Sequence, residues 1–262
     1  MITVNDQRII PTVFPDGTQQ VWQLAPTLMA ASTWHISWSF AAEAELMTLV
    51  QLCDLGAGRP MHLALTYLPY GRQDKAIGNE ATFGLHSFMR VLRLCAFDSI
   101  TVMDPHSQVV VEALPHCRAI YPHAHVTAAI HTTQATAIAY PDAGAVRKYT
   151  AIYQTNCRII SGRKVRNQQT GVLTDTAIEG DPSGQIVLIV DDICDGGRTF
   201  TALADALYTG GAQAVHLFVT HGLFSKGIHV LTAARIGRIF TAQGEIDTRS
   251  DTIAYLPAPS HQ

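Results

Sequence analysis

Two adjacent carboxylates come directly after a short aliphatic run near residue 190. The run at 186–190 reads IVLIV, and Asp191 and Asp192 follow it. Gly196 and Gly197 then precede a helical pattern. Glycines let backbone N–H groups approach a ligand closely, and the N-terminus of a helix attracts anions. The turn therefore predicts a phosphate site between a strand and a helix.

A phosphate beside two carboxylates requires a reason, since like charges repel. Asp191 and Asp192 can instead accept hydrogen bonds from sugar hydroxyls or hold a divalent cation through water. The predicted ligand is therefore a ribose phosphate. The alternative is a helix-capping aspartate after an ordinary buried strand. The stretch matches neither the GxGxxG pattern of dinucleotide sites nor the GxxxxGK[ST] pattern of nucleoside triphosphatases.

Two other polar loops carry residues that can bind phosphates or metal. In TYLPYGRQDK, Arg72 and Lys75 follow a predicted strand and can clamp a polyphosphate. In VMDPHSQ, Asp104 ends a second predicted strand, and the His106 imidazole can ligate a metal or position a phosphate oxygen. A charged surface loop and an ordinary loop histidine are the alternatives.

A third loop, AYPDAGAVRKY, places Asp142 at the start of a predicted helix. A helix N-cap alone would also explain this aspartate. In open α/β sheets, ligands bind beyond the carboxyl ends of the strands. Because Arg72, Asp104, His106, Asp142 and Asp191 all follow predicted strands, one cleft is expected to gather them.

The polar segment 162–185 carries Arg163, Lys164 and Arg166 and lacks apolar periodicity. A connection of this length inside a compact domain is usually functional or disordered. A mobile basic flap that closes over phosphates is one interpretation. A solvated β-hairpin with incidental charges is the other.

The composition is that of a globular protein. The chain has 262 residues, 47% hydrophobic and 15% charged, which is enough for one large domain or two modest ones. A net charge of −3 argues against a broad nucleic-acid footprint. No run of 18 or more apolar residues appears, the stretch MITVNDQRII lacks a basic region followed by an apolar core, and the five cysteines form no CxxC pair. We expect a soluble cytoplasmic protein with reduced thiols that binds neither membrane nor nucleic acid.

Strand and helix patterns alternate along the chain, which predicts an α/β fold. Two similar units are expected, with domains at 1–123 and 124–262. The predicted helices are 41–54, 80–95, 143–153 and one after Gly197, and the predicted strands are 62–68, 99–104, 136–140, 157–161, 186–190 and 214–221.

Six motifs in a fixed order give the chain a resemblance to a known family. They are PYGRQDK, DPHSQ, YPDAG, the pair Lys164 and Arg166, VDDICDGGRT and THGLFS. From about residue 13 to residue 243 the chain resembles the ribose-phosphate pyrophosphokinases, also called phosphoribosyl pyrophosphate synthetases. The VDDI element alone would indicate only the wider phosphoribosyltransferase fold.

The resemblance implies two tandem phosphoribosyltransferase-like domains, each a mostly parallel sheet flanked by helices, with ATP bound on the N-terminal side. It also implies Mg²⁺ and transfer of the β,γ-diphosphoryl group of ATP to the C1 hydroxyl of ribose 5-phosphate. The residues it assigns are Arg72, Gln73, Lys75, His106, Phe14 and Asp16 for ATP, His106 and Asp142 for metal, Lys164 and Arg166 for catalysis, and Asp191, Asp192, Asp195, Gly196, Gly197, Arg198 and Thr199 for the ribose phosphate.

The chain departs from the family pattern at three places. Much of the segment that precedes FPDG in the family is missing. In the family an F-x-D-G-E hairpin of a neighbouring subunit holds adenine, whereas Thr18 replaces its glutamate here. Gly196 stands where threonine is usual, and Arg198 where glycine is usual. A homo-oligomer is nevertheless expected.

Arg198 suggests a second candidate substrate, because an added guanidinium suits a larger, diphosphate-linked sugar. Some short phage-encoded relatives are thought to use ADP-ribose in rebuilding nicotinamide nucleotides. A base phosphoribosyltransferase and a non-catalytic synthetase-associated subunit are further alternatives. The first gives PYGRQDK and DPHSQ no role, and the retained Lys164, Arg166 and His106 argue against the second.

Overall fold

The chain folds into two compact units in the computed structural model. Unit 1 is Met1–Tyr121 and unit 2 is Pro122–Gln262. The structure describes residues 1–76, 78, 80–166, 173–250 and 253–256, with the backbone alone at 164–166 and 173–175. Each unit has a mostly parallel sheet with helices, so the predicted α/β class is confirmed. The predicted domain boundary after residue 123 stays a prediction.

Unit 1 contains eight strands and four helices among its described residues. They are β1 (Ile2–Val4), β2 (Gln7–Ile9), β3 (Thr12–Val13), β4 (Gln19–Gln20), α1 (Pro26–Ala30), β5 (Trp34–Trp38), α2 (Ala44–Leu55), β6 (Met61–Leu65), α3 (Gly84–Leu94), β7 (Ser99–Met103), α4 (Val109–Ala113) and β8 (Cys117–Ile120).

The main sheet of unit 1 has the strand order β2-β1-β5-β6-β7-β8. Strands β5 to β8 are parallel. Each successive strand is added next to the one before it, always on the same side, so the sheet grows in one direction. Right-handed crossovers that advance in one direction put their helices on the same face of a sheet. Helices α2, α3 and α4 therefore cover one face.

Burial along the strands agrees with this topology. Trp34, Ile36 and Trp38 of β5 are at most 1% exposed, whereas His35 and Ser37 between them reach the surface. Strands β6 and β7 alternate in the same way. We call the uncovered side the open face; its residues are Thr3, His35, Ser37, His62, Ala64, Ser99, Thr101 and Arg118.

Unit 2 contains seven strands and four helices among its described residues. They are α5 (His123–Thr133), β9 (Ala137–Tyr140), α6 (Ala143–Ile152), β10 (Arg158–Arg166), β11 (Leu173–Glu179), β12 (Ile186–Cys194), α7 (Arg198–Thr209), β13 (Ala214–Gly222), α8 (His229–Ala233), β14 (Ile236–Thr241) and β15 (Gly244–Glu245).

The sheet of unit 2 has helices on both faces. Its order is β11-β10-β9-β12-β13-β14-β15, so the crossover after β9 advances one way and the crossovers after β12 and β13 advance the other way. Opposite directions place right-handed crossovers on opposite faces. Two separate core clusters result, one containing Ile189 and the other Leu188. The prediction of a strand buried on both faces is confirmed.

Two expectations about element ends were wrong. Strand β12 does not stop before the carboxylates but continues through Asp191 and Asp192 to Cys194, because β13 is equally long and pairs with it. The strand predicted at 157–161 was too short, since β10 runs on to Arg166 and pairs with β11, and this pairing agrees with the β-hairpin interpretation of segment 162–185. Antiparallel pairing satisfies backbone groups without an apolar side-chain pattern.

No helix in the described part of the chain is long and apolar enough to cross a bilayer.

Candidate active site

The turn between β12 and α7 is built around Gly197. Its φ is +78°, and a Cβ there would lie 3.1 Å from Leu231 Cδ2. Any other residue would be strained at this position. Gly197 is the N-cap of α7, and Arg198 and Thr199, the first two helical residues, are exposed. The predicted glycine turn at a helix N-terminus is therefore present, and it has the form of an anion site.

Contacts from the segment after β13 hold this turn. The amides of Leu223 and Phe224 both donate to the Cys194 carbonyl oxygen, at 2.8 and 3.1 Å. The Ser225 hydroxyl donates to Asp195 Oδ1. Ser225 is the last residue of the THGLFS motif, and no role was predicted for it. Its contact with Asp195 identifies it as a residue that positions the turn.

Three aspartates, Asp142, Asp191 and Asp192, reach the same edge of the unit 2 sheet near the end of β12. Asp192 is 4% exposed, and Asp191 is half-buried. Burial, reinforced by the charges of Asp192 and Asp142, raises the pKa of Asp191 well above its ordinary value. Strands β9 and β12 pair in register at Ala139 and Ile189, which brings Asp142 and Asp191 to the same sheet edge. Such a group of acids favours a bound cation or hydroxyl donors.

Asp142 also caps a helix. Its Oδ1 accepts hydrogen bonds from the amides of Gly144 and Ala145, at 2.9 and 3.0 Å. The N-cap interpretation is therefore correct as geometry, and it leaves the other carboxylate oxygen out of these two bonds. A role for Asp142 in metal binding stays a prediction.

Strand β10 passes the same edge. Ser161 pairs with Tyr140, and a Cβ on the next residue, Gly162, would lie 2.7 Å from the Pro141 carbonyl oxygen. The backbones of Lys164 and Arg166 then continue the strand and pair with Thr176 and Leu173 of β11. The backbone thus forms a hairpin here. The tip of the proposed flap, residues 167–172, lies outside the described residues.

The predicted ATP residues after β6 belong to unit 1. Arg72, Gln73 and Lys75 are exposed. The Gln73 amide donates to the Tyr70 carbonyl oxygen at 2.8 Å, and the Leu85 amide donates to the Gln73 carbonyl oxygen at 3.1 Å. These bonds fasten the PYGRQDK loop to the start of α3.

The second loop of unit 1, DPHSQ, follows strand β7. Asp104 is 1% exposed with a φ of +40°, and its amide donates to the Ile120 carbonyl oxygen at 2.8 Å. His106, two residues on, is exposed. Strands β6 and β7 are adjacent and parallel, with Leu65 paired to Val102. The His106 loop and the Arg72 loop therefore begin at the same edge of this sheet.

Phe14 and Asp16 lie on the small β3–β4 hairpin of unit 1. The Phe14 amide donates to the Thr18 carbonyl oxygen at 2.9 Å. Asp16 Oδ1 accepts from the Thr18 hydroxyl at 2.7 Å and the Thr18 amide at 3.0 Å, and these bonds lower the pKa of Asp16. Thr18, which stands in place of the family glutamate, thus closes the turn. Phe14 is 40% exposed and lines a cavity of about 460 Å³ beside α2.

The donor set fits Mg²⁺ better than a transition metal. Within the described residues no group of three histidine, cysteine, aspartate or glutamate side chains is arranged to hold a metal ion. Mg²⁺ usually keeps several waters and binds one or two carboxylates together with substrate phosphates. Asp142, Asp191 and Asp192 offer such carboxylates. The predicted pairing of His106 with Asp142 involves both units and stays a prediction.

Comparison with known proteins finds one matching domain family and several proteins of similar sequence. Residues 142–235 match the phosphoribosyl transferase domain family. Ribose-phosphate pyrophosphokinase 2 of Schizosaccharomyces pombe is 26% identical over 74% of this chain and 63% of its own length. The ribose-phosphate pyrophosphokinase of Bradyrhizobium diazoefficiens is 27% identical over 76% of this chain and 64% of its own length.

This chain is similar in sequence to the ribose-phosphate pyrophosphokinases. It spans slightly less than two thirds of the length of these two relatives. The phosphoribosylpyrophosphate synthetase from Mycobacterium smegmatis has the same fold, with a TM-score of 0.73 over 89% of this chain and 79% of its own, at 20% identity. That likeness extends across both units, whereas the domain family covers only part of unit 2.

Proposed function

We propose that this chain is a ribose-phosphate diphosphokinase. It transfers the β,γ-diphosphoryl group of Mg-ATP to the C1 hydroxyl of ribose 5-phosphate, giving phosphoribosyl pyrophosphate and AMP. The observation that carries the proposal is the edge of unit 2, where three carboxylates adjoin a glycine turn at a helix N-terminus. Its homology to ribose-phosphate pyrophosphokinases supports the same reaction.

The sugar end of the substrate suits the turn after β12. Backbone amides around Gly197 and the start of α7 would bind the 5-phosphate, since they present N–H groups and a positive dipole end. Asp191 and Asp192 would accept hydrogen bonds from the ribose hydroxyls. The raised pKa of Asp191 is consistent with this role, because hydroxyl donors or a cation would relieve the crowding of negative charge.

The nucleotide end suits the cationic loops. Arg72 and Lys75 would bind the polyphosphate, with Gln73 fixed beside them by its bonds to Tyr70 and Leu85. The Phe14 ring and the Asp16 carboxylate would contact adenine. These roles require the two units to present their edges to one bound substrate pair, which is part of the proposal.

In the transfer, the C1 oxygen forms a bond to the β-phosphorus while the bond from that phosphorus to the α,β-bridging oxygen breaks. AMP leaves with the bridging oxygen, and the hydroxyl proton passes to solvent. Such transfers depend on positioning and on cations around the spreading charge. Lys164 and Arg166 would supply that charge from β10. Mg²⁺, held by Asp142 with His106 and the phosphates, would neutralise the phosphate oxygens.

A second substrate, ADP-ribose, is favoured by one observation. Arg198 is the first residue of α7 and is exposed beside the turn that would hold the 5-phosphate. A guanidinium at that place can bind the second phosphate of a diphosphate-linked sugar. The chemistry at C1 would be unchanged, and the product would be ADP-ribose pyrophosphate.

The deciding experiment is AMP release from Mg-ATP with ribose 5-phosphate or ADP-ribose as the acceptor. AMP release that depends on the pentose supports the diphosphokinase. Turnover of ribose 5-phosphate alone would rule out ADP-ribose as a substrate. A base phosphoribosyltransferase would release no AMP and would instead consume phosphoribosyl pyrophosphate. A non-catalytic subunit would neither release AMP nor consume phosphoribosyl pyrophosphate, and the absence of both reactions would overturn the proposal.

Lys164→Ala provides the matched inactive variant for this assay. Its loss is expected to lower kcat by about two to three orders of magnitude, the usual effect of removing one charge that stabilises a transition state. The melting temperature should hardly change, because β10 pairs with β11 through its backbone. Near-normal turnover, or a failure to fold, would contradict the assigned role.

A further inference from the structure

The Lys226 side chain lies against the glycine turn, and the transfer described above gives it no role. A Cβ on Gly196 would lie 3.6 Å from Lys226 Cγ, so the lysine stem packs beside the turn at van der Waals distance. Lys226 is exposed, as is Arg198 at the start of α7. A lysine carries its charge on a flexible four-carbon stem. The Lys226 ammonium group can therefore reach an anion bound at the turn.

The backbone after β13 directs Lys226 to this place. Two residues with positive φ bracket Ser225 and Lys226. Phe224 has a φ of +46°, which is uncommon for a bulky residue, and Gly227 has a φ of +77°. The Gly227 amide donates to the Phe224 carbonyl oxygen at 2.8 Å and closes the bend, and the Phe224 ring is buried. The bend thus holds Ser225 and Lys226 against the glycine turn.

Negative charge surrounds the turn, so a phosphate there requires more than backbone amides. Asp191, Asp192 and Asp195 lie at the end of β12 and in the turn itself. A phosphate monoester adds a charge of about −1.5 to −2 at pH 7, and the N-terminus of a helix offsets only about half a charge. Cationic side chains are therefore needed to balance the rest.

We propose that Lys226, together with Arg198, binds the phosphoryl group on the 5-oxygen of the sugar substrate. Arg198 comes from the start of α7 and Lys226 from the segment after β13, so two separate parts of the chain supply the positive charge. Two cations and the amides of the turn match a dianion. The inference rests on the proposed function in one respect, because it takes the turn to hold the 5-phosphate of the sugar.

Lys226 acts on binding and not on the transfer itself. The 5-phosphate takes no part in the bond changes at C1, so its contact with Lys226 is the same in the substrate and in the transition state. Loss of such a contact raises KM and leaves kcat nearly unchanged. This distinguishes Lys226 from Lys164, whose loss is expected to lower kcat.

The test is calorimetric titration of the full chain with ribose 5-phosphate, in the presence of Mg²⁺ and a non-hydrolysable ATP analogue. Lys226→Met removes the charge and keeps an unbranched stem. It is expected to raise the Kd for ribose 5-phosphate about ten- to a hundredfold, the usual effect of losing a hydrogen bond to a charged group. ADP-ribose is titrated in parallel, and whichever of the two the chain turns over should show this loss.

Further variants separate an effect of charge from a structural one. Lys226→Arg keeps the charge and should keep most of the affinity. Arg158→Met removes one exposed positive charge at the start of β10, at the opposite edge of the sheet, and should leave the Kd unaltered. Added salt should weaken binding to the wild type more than binding to Lys226→Met, because the wild type has one more ionic contact. Thermal melts check that each variant folds.

Two results would contradict this inference and leave the diphosphokinase proposal standing. The first is a wild type that binds ribose 5-phosphate no more tightly than Lys226→Met does. The second is a Lys226→Met variant whose kcat falls while its KM is unchanged. A wild type that binds neither ribose 5-phosphate nor ADP-ribose would refute both proposals. A chain that binds the sugar phosphate through Lys226 yet releases no AMP would refute the diphosphokinase alone.

Discussion

The sheets of the two units differ in how many of their faces are covered. In unit 1 the buried residues of β5, β6 and β7 alternate with half-exposed ones, and a single core cluster lies under α2, α3 and α4. In unit 2 all four residues of β9 are buried, and two clusters lie on opposite sides of the sheet. The direction in which successive strands are added accounts for the difference.

The comparison connects burial with the placement of function. The two-sided sheet carries the crowded carboxylates and the glycine turn, in surroundings that shift a pKa. The one-sided sheet carries exposed cationic loops and an open face. A sheet covered on both faces holds its strand ends rigidly, which a site of fixed geometry requires.

The largest expected effect is the loss of stability when neighbouring residues of one strand are replaced by alanine. The two neighbours should cost the same in unit 2 and different amounts in unit 1. Leu188 and Ile189 are each 0% exposed and lie in different clusters, so alanine at either should cost about 2–5 kcal/mol of unfolding free energy. In unit 1, Ile36→Ala should cost a similar amount, whereas Ser37→Ala should change stability by less than about 0.5 kcal/mol.

Urea denaturation measures both pairs, with tryptophan fluorescence reporting unit 1 and far-UV circular dichroism reporting the whole chain. Equal costs at Ile36 and Ser37 would remove the one-sided description of unit 1. A clear asymmetry between Leu188 and Ile189 would remove the two-sided description of unit 2.

Two glycines give the next contrast. A Cβ on Gly162 would lie 2.7 Å from the Pro141 carbonyl oxygen, and backbone cannot easily move, so Gly162→Ala should cost about 1–3 kcal/mol. A Cβ on Gly84 would instead meet the flexible Gln73 side chain. Gly84→Ala should leave stability unchanged and weaken binding of an ATP analogue. Calorimetric titration and urea melts check the two outcomes, and a stability loss at Gly84 equal to that at Gly162 would contradict the contrast.

Asp191 gives a pH-dependent prediction. Its folded pKa lies above the unfolded value of 3.8, so the folded protein binds this proton more tightly, and stability falls as pH rises above that value. Asp191→Asn should therefore melt higher than the wild type at pH 7, by about 2–4 °C for each 1 kcal/mol of relieved penalty. The gain should vanish near pH 4, while ribose phosphate binding is lost.

Asp16 in unit 1 is the control, because its pKa is lowered by the bonds from Thr18. Its contribution to stability is present above the unfolded pKa and is lost as pH falls, so Asp16→Asn should bring no gain at pH 7. Thermal melts between pH 4 and pH 8 test both variants. A wild type that melts above Asp191→Asn at pH 7 would show that the carboxylate is stabilised, contrary to this prediction.

The smallest expected effect concerns a buried hydroxyl. Tyr140 is 0% exposed, its pKa is raised to about 12 by burial, and its hydroxyl has no hydrogen-bond partner within the described part of the chain. Tyr140→Phe should stabilise unit 2 by up to about 1 kcal/mol. In unit 1 the Tyr70 hydroxyl donates to Glu43, so Tyr70→Phe should bring no gain. Urea midpoints distinguish the two, and a destabilised Tyr140→Phe would indicate a bond that the hydroxyl makes elsewhere.

Long apolar patterns were predicted well from the sequence. The helices α2, α3 and α6 and the strands β7, β9 and β13 lie where periodicity placed them, within a few residues at their ends. The glycine turn before α7 was also foreseen, because two glycines between a buried run and a helical pattern have few other uses.

Elements held by pairing were harder to predict. Strand β5 and the β1–β2 hairpin were overlooked, although WHISW alternates as a one-sided strand does. The extension of β10 to Arg166 was foreseen only as one of two interpretations, a β-hairpin, because its polar residues carry no apolar period. Such strands are specified by the neighbour that accepts their hydrogen bonds, and that neighbour is distant in sequence.

By itself, the sequence determined the α/β class, the chemistry available at each strand end and the turn that only glycine can form, since these follow from local residue types and spacing. Tertiary structure decided which face of each sheet is covered, and it made β9 and β12 neighbours, so that the strand ends before Asp142 and Asp191 share one edge. Strand order and crossover direction set both, and they arise from pairing between residues far apart in the chain.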